Sequence, residues 1–318
     1  MTEIKCFNKH HIETAKELAF MNYDSERAVA AALPQVNALP DIGCFADNGL
    51  GVTLFDNGEM LGFLCCHEPW DNAFDSAARG TFTPIHAHGA VFENREMIYK
   101  RLYQAAAEKW VNAGITYHAV ALYAHDSRGK NAFFTNGFGL RCVDAVRWLE
   151  NFENQPFSGV NYTEIAKKDE ILIRKMRMLH VEHLGNSPCF MRSNPDETKS
   201  WLERAETRDS RVFTAMLKDE PIAYIEITSG GETFVSEVRD MMNICGAFCM
   251  AEYRGTGVTQ GLLNHIIATL KAEGFVRLGV DFESFNPTAN GFWMKYFTAY
   301  TNSVVRRIDE CALGFNHN

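Results

Sequence analysis

The sequence predicts an α/β (α+β) fold made of two tandem units, each a mixed, mostly antiparallel sheet flanked by helices. The chain has 318 residues, enough for two ordinary domains with substantial cores. Its 46% hydrophobic and 22% charged residues are typical of a globular protein. The order of predicted elements in the first half also recurs in the second, which favours two units over one large mixed-sheet domain.

A shift of 160 residues aligns four identical residues: Gly114 with Gly274, Val120 with Val280, Arg147 with Arg307 and Glu150 with Glu310. The identities are sparse, but they agree with the repeated element order and indicate duplication of one unit. Residues 151–160 form a polar stretch with Pro156 and Gly159, typical of a linker. We therefore expect domains at 1–150 and 161–318, joined by a linker at 151–160.

In the first half, Asn57-Gly58 predicts a tight turn between two hairpin strands. Pro34 and Gly114 predict the ends of two helices. The predicted elements are a strand at Ile4–Phe7, a helix through about Leu33, the hairpin Gly51–Asp56 with Met60–Cys66, a strand at Phe82–Val91, a helix at Arg95–Asn112, a strand at Tyr117–Tyr123, a short helix at Lys130–Thr135 and strand sequence at Phe138–Glu150.

The second half repeats this order. Its predicted elements are a strand ending at Ile165, helices at Asp169–Leu184 and Pro195–Thr207, a hairpin of Arg211–Leu217 with Ile222–Thr228, a buried strand at Ile244–Met250, a helix ending near Gly274, a strand at Val276–Glu283, a helix at Pro287–Tyr296 and a strand at Ser303–Glu310.

The junction between the buried strand and the following helix is rich in glycine. Six apolar residues with a 3.6-residue period predict the helix: Val258, Leu262, Leu263, Ile266, Ile267 and Leu270. Gly255 and Gly257 precede it, and glycine lets a backbone approach a ligand closely. Unpaired amides at the positive end of a helix bind phosphate groups. The junction therefore predicts a phosphate or pyrophosphate site.

Two segments carry a family resemblance. Arg254-Gly255-Thr256-Gly257-Val258-Thr259 resembles the acyl-CoA pyrophosphate loop of the GCN5-related N-acetyltransferases, Q/R-x-x-G-x-G/A. Arg254 and Gly257 match this pattern, whereas Thr259 replaces a small residue. After the next strand, Asn286–Phe297 resembles the family's later motif, N-x-x-A-x-x-Φ-Y-x-K-x-G-F, with matches at Asn286, Ala289, Phe292 and Lys295.

The resemblance implies acetyl-CoA as co-substrate and assigns most of its contacts. It places the pyrophosphate on Arg254–Thr259, and the pantetheine arm and thioester carbonyl on the strand Phe248, Cys249 and Met250. It places the arm and thiol also near Asn286, Phe292 and Trp293. Trp293 stands where many members carry a tyrosine that protonates the leaving thiolate, and an indole N–H is not a usable acid. Tyr296 is the candidate replacement; otherwise the thiolate leaves without a side-chain acid.

The first half departs from this pattern. The counterpart of the loop, Val91–Arg101, reads VFENREMIYKR and has no glycine between Gly89 and Gly114. Arg95 lies near the expected place, but the permissive backbone is missing. We therefore expect that the first unit has lost acyl-CoA binding.

Transfer to an amine requires a base, because only a neutral amine attacks. Asp281 and Glu283 alternate along one strand and face the same way. They are the candidate bases, with Glu283 favoured; a solvated pair at a strand end is the alternative. Glu226 and Glu237 are weaker candidates.

Composition limits the partners and the compartment. The formal charge of −9 argues against a nucleic-acid surface and is compatible with a cationic amine. No apolar run is long enough for a membrane span, and the N-terminus lacks a signal peptide. Nine cysteines without C-x-x-C or Cys/His ligand spacing predict no metal site and reduced thiols in a cytoplasm.

These observations predict a cytoplasmic N-acetyltransferase that moves an acetyl group from acetyl-CoA to a primary amine of a small molecule by direct attack. Two alternatives stay open: an acyltransferase with a different acyl donor, and a CoA-binding sensor without turnover. The oligomeric state, monomer or homodimer, is not predicted.

Overall fold

The computed structural model describes residues 2–155, 157–192 and 194–314. The chain folds as two compact units, one formed by residues 2–143 with 299–314 and the other by residues 144–298. The last strand of the chain thus belongs to the first unit. The domain limits 1–150 and 161–318 and the linker 151–160 stay predictions.

The elements follow the predicted order. In the first half they are β1 (Thr2–Cys6), α1 (Ile12–Arg27), β2 (Val52–Asp56), β3 (Glu59–Leu64), β4 (Gly80–Thr83), β5 (His88–Ala90), α2 (Arg95–Asn112), β6 (Tyr117–Tyr123), α3 (Ser127–Phe134) and β7 (Gly139–Trp148). In the second half they are β8 (Val160–Ile165), α4 (Arg174–Gly185), α5 (Pro195–Thr207), β9 (Arg211–Leu217), β10 (Glu220–Thr228), β11 (Met241–Cys249), α6 (Val258–Ala272), β12 (Arg277–Glu283), α7 (Pro287–Tyr296) and β13 (Thr298–Arg307).

Three predicted elements in the first half and at the chain end differ from the structure. The strand predicted at Phe82–Val91 is two short strands, β4 and β5, separated by Pro84, which has no N–H for a ladder. The helix predicted through Leu33 ends at Arg27, and Ala30 and Leu33 turn into the core instead. The last strand begins at Thr298 rather than Ser303, directly after α7.

One predicted helix in the second half also differs. The segment predicted as a helix at Asp169–Leu184 is a 3₁₀ turn at Lys167–Ile173 followed by α4.

The first unit contains an antiparallel sheet in the order β1-β2-β3-β5. In a second group of strands, β6 pairs with β4 in parallel and with β13 in antiparallel. Helix α2 buries one face, including Leu102 and Trp110, in the core beneath these strands. This unit therefore combines strands from the first half of the sequence with β13, which follows the second unit in the chain.

The start of α2, the counterpart of the glycine junction, is filled by a buried cation. Arg95 is 4% exposed and donates hydrogen bonds to the carbonyls of Ala90 (2.6 Å) and Val91 (3.2 Å) and to the carboxylate of Asp126 (3.1 Å). A cation is unfavourable at a helix N-terminus unless such acceptors surround it.

A second side chain fills the space between β5 and β6. His88 is buried, accepts a hydrogen bond from the Tyr99 hydroxyl (2.9 Å) and donates one to the Ala121 carbonyl (2.7 Å). Side chains therefore fill both places, and the loss of acyl-CoA binding by the first unit stays a prediction.

In the second unit, the strands run in the order β7-β12-β11-β10-β9-β8. Neighbours from β8 to β11 are antiparallel, and β11 and β12 are parallel. Helix α6 packs on one face, where His265 contacts Phe213. Helix α4 packs on the other, where Met176 and Tyr224 share a core cluster. Both units are therefore mixed, mostly antiparallel sheets flanked by helices, which confirms the predicted fold class.

We expect Arg95→Ala to lower the free energy of unfolding by about 3–5 kcal/mol, because it leaves the Asp126 carboxylate and two carbonyls without their buried cation. Lys100→Ala on the same helix is the control. Its ion pair with Glu96 is accessible to solvent, so we expect a much smaller loss than for Arg95→Ala. Urea unfolding of both variants measures the difference, and equal losses would contradict a buried role for Arg95.

Candidate active site

The site is centred on the place where β11 leaves β12. The parallel pairing of these strands covers Met241–Ile244 and Arg277–Val280. Directly after it, the register between β10 and β11 shifts, so that Ile227 is opposite Ile244 and Glu226 is opposite Gly246. Cys245 is therefore the extra residue of a β-bulge, and bulges bend the strand that carries them. Among the described residues, Cys245–Cys249 has no paired partner on the β12 side, which leaves an open edge.

The register decides which amides face this open edge. Met250 donates its amide to the Ile222 carbonyl (3.0 Å), so this residue forms a hydrogen-bonded pair with β10. In an antiparallel ladder such pairs alternate, and Phe248 therefore also directs its amide to β10. The amides of Ala247 and Cys249 point the other way, toward the opening. Of the predicted residues Phe248, Cys249 and Met250, it is Cys249 whose amide faces the gap, and Ala247 joins it.

The glycine junction has the backbone that the sequence suggested. Gly255 (φ 76°) and Gly257 (φ 94°) both adopt the left-handed region, and Gly257 is the N-cap of α6. The hydrogen bond from Gly261 to the Gly257 carbonyl (2.9 Å) closes the first turn of the helix. The amides before Gly261 in that turn have no partner within an α-helix and are left for a ligand.

The other residues of the loop fasten it to the end of β11. Arg254 donates from Nε to the Cys249 carbonyl (3.0 Å), and its guanidinium lies 5.4 Å from the centre of the Phe248 ring. The Thr256 hydroxyl donates to the Tyr253 carbonyl (2.7 Å). Val258 is buried in the core. Burial raises the pKa of the Cys249 thiol, while a hydrogen bond with the Thr259 side chain acts in the opposite direction.

Asn286, from the later motif, is the N-cap of α7. It is 6% exposed, and its side-chain oxygen accepts from the Thr288 hydroxyl (2.7 Å) and the Ala289 amide (3.4 Å). His183 on α4 lies 3.4 Å from the same oxygen. The motif residue thus has a local structural role as a helix cap, and it also joins α7 to α4.

The aromatic residues of α7 pack mainly on one another. Trp293 is 5% exposed and makes edge-to-face contacts with Phe292 (4.8 Å) and Phe297 (5.5 Å). The Tyr296 ring lies 5.1 Å from Phe292 and 4.4 Å from Phe152. These ring contacts describe how both side chains pack, and a proton-transfer role for Tyr296 stays a prediction.

Asp281 stands where the opening begins, one residue after the last paired residue of β12. Burial raises the pKa of this carboxyl to about 7, and the negative charges of Asp144 and Glu232 add to the effect. A group with that pKa is half ionised at neutral pH and is suited to accept a proton. Glu283, two residues on, lies beside Cys189, whose thiol pKa is raised first by burial and then by this carboxylate.

Glu226, a weaker candidate base, is held in a buried ion-pair chain. Arg177 on α4 is fully buried and donates from Nη2 to Glu226 (2.9 Å) and Glu170 (3.1 Å). The Ser210 hydroxyl donates to the other oxygen of Glu226 (2.7 Å). Both carboxylate oxygens of Glu226 are therefore engaged, which assigns it a structural role on the face that α4 covers. Glu237, the other weaker candidate, is exposed at the end of the 3₁₀ turn Phe234–Glu237.

Helix α4 adds residues that sequence reasoning missed. The His180 ring lies 5.9 Å from Phe248, and its Nδ1 is 3.5 Å from the Tyr224 hydroxyl. Burial lowers the pKa of His180 to about 4, aided by His183 and Arg254, so the imidazole is neutral at pH 7. His180 and His183 are three residues apart and therefore lie on one face of the helix, which the sequence alone shows. The sequence does not show which strand that face packs against.

Comparison with known proteins gives a family match within the second unit. Residues 176–297 match the Acetyltransferase (GNAT) family. The matched residues all lie in the second unit, and the match confirms the resemblance predicted from the sequence. Comparison with curated protein sequences gives no match.

Solved structures show the same fold at low identity. A GCN5-related N-acetyltransferase from Sphaerobacter thermophilus has a TM-score of 0.56 at 9% identity over 96% of this chain and 95% of that one. A glucosamine N-acetyltransferase region of a fungal multi-domain β-N-acetylglucosaminidase has a TM-score of 0.50 at 11% identity, over 96% of this chain and 38% of that one.

Two further observations concern the described residues alone. No helix among them is both long enough and apolar enough to cross a membrane. No group of three or more His, Cys, Asp or Glu side chains among them is placed to hold a metal ion.

We expect Asp281→Asn to stabilise the protein at high pH. The folded state holds the Asp281 proton up to about pH 7, whereas the reference pKa is 3.8. The folded protein therefore binds more protons between these values, and the stability contributed by this group falls as the pH rises through that window. Within this pH window, the free energy of unfolding of the variant should rise relative to that of the parent by up to about 1.4 kcal/mol per pH unit. Urea unfolding at pH 5 and pH 8 tests this, with the exposed Asp209→Asn as control; a pH-independent difference would contradict it.

Alanine substitution should distinguish the two glycines of the loop. Both have φ in the left-handed region, which costs an L-residue about 1–2 kcal/mol. A Cβ on Gly257 would also lie 2.5 Å from the Gln155 carbonyl oxygen, whereas one on Gly255 meets nothing within 4 Å. We expect Gly257→Ala to lose about 1–3 kcal/mol more than Gly255→Ala in urea unfolding. Equal losses would show that the Gln155 contact is not maintained in solution.

Proposed function

We propose that the protein transfers an acetyl group from acetyl-CoA to a primary amine of a small molecule, within its second unit. The observation that carries the proposal is the open edge of β11 next to two left-handed glycines at the start of α6. In this arrangement the first-turn amides of α6 bind the diphosphate. The pantetheine arm runs along β11 toward the point where β12 departs, with Asn286, Phe292 and Trp293 on the α7 side.

The reaction needs an electrophile held by donors and a neutral nucleophile. In our proposal, the amides of Ala247 and Cys249 orient the thioester and stabilise the charge that develops on its carbonyl oxygen. The amine attacks the carbonyl carbon directly, a C–N bond forms, and the C–S bond breaks without a covalent acyl-enzyme. Asp281 takes the amine proton, since its pKa is near neutrality. Glu283, on the same face of β12, is the second candidate.

The thiolate leaves without a side-chain acid. Trp293 offers only an indole N–H, which is not acidic, and Tyr296 stacks on Phe152. A thiolate is a much better leaving group than an alkoxide because the pKa of a thiol is near 8.5. Departure as the anion therefore requires no replacement for the tyrosine that the motif usually carries.

The acceptor is proposed to be cationic before it reacts. Asp281, Glu283, Asp144 and Glu232 interact electrostatically around the opening. Their negative potential would attract an ammonium group and raise its local concentration. We propose neither a nucleic acid nor a membrane as partner. Since none of the nine cysteines forms a disulfide, a reducing cytoplasm suits the chain.

Calorimetric titration with CoA and a thiol-release assay with acetyl-CoA and small primary amines test the proposal. We expect CoA to bind and thiol release to depend on an amine. We also expect Asp281→Asn to lower kcat by about 100-fold near pH 7 with little change in the KM for acetyl-CoA. The acid limb of the parent's pH profile, near pH 7, should disappear in the variant. Asp209→Asn serves as control, and a parent protein that does not bind CoA would overturn the proposal.

A CoA-binding sensor is the second candidate, and the buried Trp293 is the observation that favours it. For a sensor, CoA should bind while acetyl-CoA gives no thiol release with any amine of the panel. An acyltransferase that uses another donor would instead release thiol faster from a different acyl-CoA, so the same assay with several donors separates all three.

A further inference from the structure

The segment just after β7 is tied closely to α6. We name residues 152–155 together with Phe157 the brace. The Phe152 amide donates to the Asn264 side-chain oxygen (3.2 Å), and the Asn264 side-chain nitrogen donates to the Phe152 carbonyl (2.7 Å) and to Asn154 Oδ1 (2.9 Å). One helical side chain thus satisfies both backbone groups of Phe152 and fixes the path of the brace along α6.

The ring of Phe152 adds a second anchor. It stacks against Tyr296 of α7 at 4.4 Å and 30°, and the Arg147 guanidinium lies 5.0 Å from its centre. Aromatic pairs with this separation contribute beyond the area they bury. The start of the brace is therefore held by two helices of the second unit.

The other end of the brace contacts the glycine loop on both sides. The Gln155 carbonyl oxygen is 2.5 Å from the position of a Cβ on Gly257, at the N-cap of α6. The Phe157 ring meets Tyr253, just before the loop, edge to face at 6.1 Å. The loop residues between Tyr253 and Gly257 therefore lie between two contacts made by one short segment.

We infer that Asn264 is a positioning residue for the cofactor: it holds the brace against the glycine loop, and the brace fixes the orientation of the loop amides. A loop with two left-handed glycines has high conformational entropy when unsupported. If the folded protein already fixes the loop, ligand binding does not have to order it. A ligand that uses those amides then binds more tightly. This inference rests on the proposed function, since it concerns the diphosphate site of that function.

The test compares two ligands on two variants. Asn264→Leu removes three hydrogen bonds, and Phe157→Ala removes the contact with Tyr253. In calorimetric titrations, we expect each variant to bind CoA about tenfold more weakly than the parent. Pantetheine lacks the diphosphate, so its affinity should stay within about twofold. Lys271→Ala, exposed near the far end of α6, is the matched control and should leave both affinities unchanged.

The outcomes separate this inference from the proposed function. A parent protein that binds no CoA would overturn both. A parent that binds CoA, with variants that bind it equally well, would overturn the inference alone, as would an equal loss of affinity for CoA and pantetheine. If Asn264→Leu does not fold, Phe157→Ala decides the question, because it removes no hydrogen bond.

Discussion

The candidate site depends on one constraint, which is that β11 pairs with β12 over only four residues and then departs. The β11 amides that a thioester could use follow from it. The bulge at Cys245 bends β11 at this point, and the alternation set by β10 then decides that Ala247 and Cys249 face the gap. Asp281 is the first residue of β12 beyond the pairing, so the carboxyl group lies where the strands separate.

Helices and turns were predictable from the sequence because they depend on residues that are close together in the chain. The 3.6-residue period of α6, the glycine pair before it and the bounds of α7 at Pro287–Tyr296 are all properties of short segments. The same holds for the hairpin at Asn57-Gly58. These features required no knowledge of tertiary contacts, and the structure has them where the residues suggested.

The missed features depend on register and on distant parts of the chain. No local pattern shows that Cys245 is bulged, so the sequence could not tell which of Phe248, Cys249 and Met250 presents its amide to the gap. Asp144 raises the pKa of Asp281, although Asp144 lies on β7 and the two residues are far apart in the sequence. The packing of Tyr296 on Phe152 is likewise a tertiary contact that no local pattern shows.

The division of the strands has a consequence for where the chain could be divided into fragments. β13, at the C-terminal end, pairs with β6 of the first unit, while β7 lies beside β12 of the second from Asp144 onward. A chain cut at residue 150 would leave the first fragment without the strand that covers β6 and the second without β7. Bare strand edges invite aggregation. A fragment made of either half alone would therefore lack a strand that its own sheet uses.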